Sequence, residues 1–111
     1  MAGVIVDEGG NVSKFSKGDE VYGNIQNFNT GKPKQCGTLT QYTALEESLI
    51  ALKPENMSFE EAASFPLALQ TAQEGFDRVN FQRGQTVFVA GGAGGVGSLA
   101  IKVKVNTIFF F

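Results

Sequence analysis

The residues of this chain best spaced for chemistry are the glycines of Gly91-Gly92-Ala93-Gly94-Gly95-Val96-Gly97, which contain the pattern Gly92-x-Gly94-x-x-Gly97. In that pattern each glycine has its own job: a tight turn, close approach of the backbone to a pyrophosphate, and close packing of the following helix on the preceding strand. A helix opening near Gly95 aims its unpaired N–H groups, and about half a positive charge, at such an anion. Gly92, Gly94 and Gly97 are therefore candidates to cradle a dinucleotide. The plainer alternative is a flexible turn, in a chain that holds 14 glycines. A Walker loop is excluded, because no Gly-Lys-Ser/Thr follows.

Other chemistries fall away by residue count. Histidine is absent, which removes Ser/His/Asp and Cys/His triads, a His general base and a His-ligated metal. The single Cys36 can form neither a four-cysteine zinc site nor an intrachain disulfide, so no metal site is expected. Cys36 sits in a polar stretch with no base beside it and reads as an incidental thiol. Tyr22 and Tyr42 are possible proton donors but read first as half-buried packing residues. Glu46-Glu47 and Glu60-Glu61 are neighbours in sequence, and such pairs are usually solvated caps. No catalytic residue is assigned.

With 9 Lys+Arg against 11 Asp+Glu the net charge is −2, and the scattered lysines form no basic stripe, so nucleic acid is not an expected partner. No run reaches the roughly 18 apolar residues of a membrane span. The expected compartment is the cytosol, with chloroplast association as the alternative. At 111 residues the chain has room for one modest core and not for a complete two-domain enzyme.

The elements that must position the glycine turn can be read from periodicity. Short strands are expected at 3–6, 20–23, 38–44 and 49–52, separated by turn residues such as Gly9-Gly10-Asn11 and Lys17-Gly18-Asp19, with a surface loop across 26–37. Ser58 with Glu61 three residues on is a capping box and starts a short helix. Pro66 suits the first turn of a second helix, whose apolar face is Leu69, Ala72, Phe76 and Val79 and which ends near Asn80. Thr86 to Ala90 lacks polar alternation and suits a strand buried on both faces. Val96, Leu99, Ala100 and Val103 then recur as one helical face. The unit is strand, glycine turn, helix.

Taken together, Ala2-Gly3-Val4-Ile5-Val6, Phe15 to Gly23, Leu52-Lys53-Pro54, Glu61 to Leu67, Thr71-Ala72-x-Glu74-Gly75 and Ala90 to Gly97 resemble, in order and spacing, the zinc-independent quinone and enone reductases of the medium-chain dehydrogenase/reductase superfamily, above all the plant enone oxidoreductases. The resemblance covers residues 2 to about 101. It implies an α+β partial chain: part of a GroES-like all-β substrate domain at 1–57, connecting helices at 58–80, and the first strand-turn-helix of a Rossmann α/β nucleotide-binding domain at 81–111.

The resemblance also implies NADPH as cofactor and a small-molecule quinone or enone as substrate, with a homodimer open to full-length relatives. Gly94, Gly95, Val96 and Gly97 match the family's pyrophosphate loop, and Thr71 matches a threonine beside the nicotinamide. At Gln73 the family usually has tyrosine. Family members carry a further N-terminal segment with an Asn-Pro-x-Asp stretch that has no counterpart here, and after Ile101 the sequence leaves the family helix and reads as a frameshifted or intron-derived tail. The implied function is an NADPH-dependent reductase of quinones or of the C=C bond of α,β-unsaturated carbonyls, in truncated form; a catalytically inactive fragment or a binding or structural protein is the alternative.

Overall fold

A computed structural model describes residues 1–26, 37–82 and 84–103, together with the backbone of 108–110. Cys36, most of the polar stretch at 26–37, and Arg83 lie outside the described residues. The chain divides into two compact units, Met1–Pro66 and Leu67–Phe111.

The first unit is built on a three-stranded antiparallel sheet in the order β1-β2-β3, with β1 at Ala2–Val4, β2 at Glu20–Gly23 and β3 at Ile50–Leu52. Its register pairs Gly3 with Val21 and Tyr22 with Ala51. The turn into β2 closes where Gly18, at φ 100°, donates to the Ile5 carbonyl at 2.8 Å, and the Asp19 carboxylate accepts from Ser16 N–H at 2.8 Å. Glycine is required at Gly23, since a Cβ there would strike the Leu49 carbonyl oxygen. Helix α1, Phe59–Ser64, packs on β1 and β2. Its Ala62 is 0% exposed and Val21 of β2 only 4%, so the small alanine lets the helix sit close to the sheet. The expected capping box is present: Ser58 Oγ accepts from Glu61 N–H at 3.2 Å and the Glu61 carboxylate from Ser58 N–H at 2.9 Å.

Lys53 ties this unit together. Its side chain is only 4% exposed, and its ammonium donates to the Met57 carbonyl at 2.7 Å and the Pro54 carbonyl at 3.1 Å while pairing with Glu20 at 2.9 Å. The Phe59 ring lies 5.2 Å beneath the same charge. One cation thus fastens the end of β3, the 54–57 turn, β2 and the start of α1.

The second unit holds α2 at Pro66–Arg78 (its first residue closing the first unit), β4 at Val87–Val89, α3 at Gly95–Val103 and β5 at Ile108–Phe110. Ala72 and Phe76 of α2 share one buried cluster with Ala100 of α3, and Phe81 and Val87 pack against it. The Phe76 and Phe81 rings are 5.2 Å apart.

Five expectations need correction. No strand forms across 38–44, and Leu49 belongs to a 3-10 turn, Glu47–Leu49, that leads into β3. Val79 lies past the end of α2 and is 71% exposed, because the helix stops before its apolar face reaches that residue. Tyr42 is exposed where packing was expected. Strand β4 is covered on one face only: Phe88 is 64% exposed, while its neighbours Val87 and Val89 are half-buried. The tail also supplies a partner that its sequence did not suggest, since β5 pairs parallel to β4 with Phe88 opposite Phe109.

Candidate functional site

The glycine turn leaves β4 through Gly91, whose φ of 71° is the left-handed conformation that glycine adopts at no steric cost. Gly94 N–H then donates to the Gly91 carbonyl at 2.9 Å, and Ser98 N–H to the Gly94 carbonyl at 2.9 Å. That second bond is the first of the helix. The N–H groups of Gly95, Val96 and Gly97 precede it and are the orphan donors of a helix start. They point where an anion is favoured.

Two glycines are fixed by packing. A Cβ on Gly97 would overlap the Gly91 carbonyl oxygen and come within 2.9 Å of Gly92 Cα, and one on Gly94 would sit 3.2 Å from the Gly91 carbonyl oxygen. A Cβ on Gly95 would meet nothing within 4 Å. The spacing Gly92-x-Gly94-x-x-Gly97 therefore does mechanical work here: it folds the turn back on itself so that α3 starts against the residues leaving β4. At this end of the helix Ser98 Oγ donates to the Gly95 carbonyl at 3.2 Å.

Thr71 is exposed on α2, and its Oγ1 donates to the Leu67 carbonyl at 2.9 Å, one turn back. It makes no bond to the glycine turn. Its helix is nonetheless held against α3, since the adjacent Ala72 shares the buried cluster with Ala100. Gln73 is held along the helix surface by an Nε2 bond to Asp77 at 2.7 Å. Gly92 is half-buried, and Gly94, Gly95 and Val96 are exposed. The carboxylates weighed from the sequence are accounted for structurally. Glu60 and Glu61 serve the start of α1, with the Glu60 carboxyl held below its ordinary value by its own backbone N–H and by Ser58. Glu47 is held down by the backbone N–H groups of Ser13 and Lys14. Sequence reasoning missed Lys53 as a buried anchor; only the proline after it hinted at a fixed turn.

No protein-family model matches the sequence. Over 103 residues, 93% of this chain, it is 52% identical to the 2-methylene-furan-3-one reductase of Solanum lycopersicum. Over 103 residues it is also 50% identical to the chloroplastic NADPH-dependent alkenal/one oxidoreductase of Arabidopsis thaliana. The crystal structure of an alcohol dehydrogenase superfamily protein from Novosphingobium aromaticivorans superposes on 99% of the chain with a TM-score of 0.87 at 38% identity. Nearly the whole chain is similar to one segment of these proteins. The chain spans 26% and 27% of the length of the two plant relatives and 33% of the bacterial structure. Among its described residues no helix is long and apolar enough to cross a membrane.

Proposed function

We propose that this chain supplies the cofactor-cradling turn of an NADPH-dependent reductase acting on quinones or on the C=C bond of α,β-unsaturated carbonyls. The observation that carries the reading is the folded-back turn, in which Gly97 lies against Gly91 and two of the first three residues of the helix, Gly95 and Gly97, carry no side chain. Such a start offers backbone donors and a positive dipole to a pyrophosphate, and its glycines let the phosphates approach the main chain. Gly92, Gly94, Gly95, Val96 and Gly97 would hold that group, and Thr71 would border the nicotinamide, its hydroxyl keeping acceptor capacity after donating to Leu67. NADPH, when bound, supplies a hydride to the β-carbon of the enone, and a proton from solvent completes the reduction. What this segment contributes is binding, orientation and exclusion of water, which is the protein's share in a cofactor reaction. No acid or base residue is asked of it.

The preference for NADPH over NADH follows the Arabidopsis relative, which is named NADPH-dependent, because the ribose-reading residue of this pattern stands about 20 residues past the glycines. In the same reading, 1–57 belongs to the substrate domain, 58–80 to connecting helices and 81–111 to the nucleotide domain. The substrate is a small molecule and nucleic acid plays no part. The compartment is the cytosol, or the chloroplast as for the Arabidopsis relative, and a homodimer belongs to the full-length form.

A second reading, an inactive fragment or a binding protein, is favoured by the exposure of Phe88 on β4. One experiment separates the two. The matched segment of the tomato reductase is replaced by this chain and NADPH-dependent reduction of a simple enone is measured. Turnover by the chimera, with far less from the 111-residue chain alone, fits the proposal; a folded chimera that fails to bind NADPH overturns it.

A further inference from the structure

We infer that this chain holds a dinucleotide without reading its ribose, and so binds NADPH and NADH with equal affinity; the inference rests on the cofactor reading and deepens it. The observation is the second strand of this unit. β4 leads through the glycine turn into α3, and the chain returns as β5, parallel to β4, with Val87 opposite Ile108 and Val89 opposite Phe110. That makes a complete βαβ unit. Because the two strands are parallel, β5 ends at the same end of the sheet where the glycine turn leaves β4.

In the dinucleotide pattern the residue that meets the ribose stands about 20 residues after the glycines; it is an acid where the 2′-OH is bound, and an arginine nearby accommodates a 2′-phosphate. Phe110 is 18 positions after Gly92 and pairs with the strand that opens the turn, so the end of β5 takes that place. The run Val105-Asn106-Thr107-Ile108-Phe109-Phe110-Phe111 contains neither an acid nor a base. Phenylalanine has no carboxylate to take the 2′-OH of NADH and no charge to hold the 2′-phosphate of NADPH. No Asp or Glu follows Asp77 in the sequence. Of the charged residues described in this unit, Glu74 and Arg78 pair along α2 and Asp77 accepts from Gln73 on the same helix. Lys102 stands in the last turn of α3, whereas the glycines stand in its first. Arg83 and Lys104 come before β4 and β5 begin. What remains for the turn to recognise is the pyrophosphate, which both dinucleotides share. In the assembled reductase, selection of NADPH then belongs to residues outside 1–111.

The test titrates the isotope-labelled 111-residue chain with NADPH and, separately, with NADH, and takes both dissociation constants from the amides of Gly92 to Gly97. The two constants are expected to agree within about threefold. The Phe110 amide should shift with both dinucleotides. Phe110→Asp supplies an acceptor for the 2′-OH and repels a 2′-phosphate, and should favour NADH by about tenfold or more; Phe110→Arg should favour NADPH by as much. A larger preference in the unsubstituted chain, or a Phe110 amide that neither dinucleotide moves, would overturn the inference without reference to any variant. So would an unchanged ratio in both variants when their free spectra show the fold intact. Glycine amides that respond to neither dinucleotide would overturn the cofactor reading and this inference with it, whereas a skewed ratio with those amides shifting overturns this inference alone.

Discussion

A β-carbon on Gly97 would overlap the carbonyl oxygen of Gly91, so the first turn of α3 is held against the residues leaving β4 by the absence of a side chain. Gly97→Ala should therefore force the turn open and destabilise the chain by about 1 to 3 kcal/mol, the usual cost of overpacking a tight site. Gly95→Ala is the control: with open space around it, and the better helix propensity of alanine, it should leave stability unchanged or raise it by up to about 1 kcal/mol. Urea unfolding of the two variants reads the difference.

Lys53 is the second point where one residue holds several elements. Lys53→Met keeps much of the side-chain volume and removes the charge, leaving two carbonyls and the Glu20 carboxylate without their donor. A loss of about 1 to 3 kcal/mol is expected. Glu20→Gln should cost less than about 1 kcal/mol, because the Glu20 side chain is 50% exposed and an amide oxygen still accepts. Chemical denaturation of both, side by side, checks the ranking.

Glu47 gives the pH dependence its sign. Its carboxylate accepts from Ser13 N–H and Lys14 N–H at 3.1 Å each, and those bonds hold its folded pKa below the ordinary glutamate value. A depressed carboxylate adds stability that is complete above the unfolded value, about 4.3, and is lost as pH falls through the lower folded value. Thermal melts from pH 6 down to about pH 3 should fall less steeply for Glu47→Gln than for the unsubstituted chain.

Much of this architecture was legible in the sequence because it is local. Ser58 and Glu61 announce their own helix start, Pro66 opens the next, and the glycine spacing sets the turn between β4 and α3. What could not be read depends on partners distant in the chain. Phe88 belongs to a run that suits a doubly covered strand, yet it is 64% exposed. The residues at 38–44 have strand composition but form no strand, and most of them line a groove instead. Lys53 looks like an ordinary surface lysine until the fold brings Glu20, 33 positions earlier, to its ammonium. The turn itself was visible; the bond that turns Thr71 back to Leu67 was not, since a threonine hydroxyl chooses among several local acceptors.

The most direct test of the dinucleotide reading is an NMR titration of the isotope-labelled 111-residue chain with NADPH, which registers weak binding as well as strong. The amides of Gly92, Gly94, Gly95, Val96 and Gly97 should shift most, with weak affinity, because backbone N–H groups at this helix start are the proposed contacts. Shifts that cluster elsewhere, or none at these five residues when NADPH is in large excess, would contradict it.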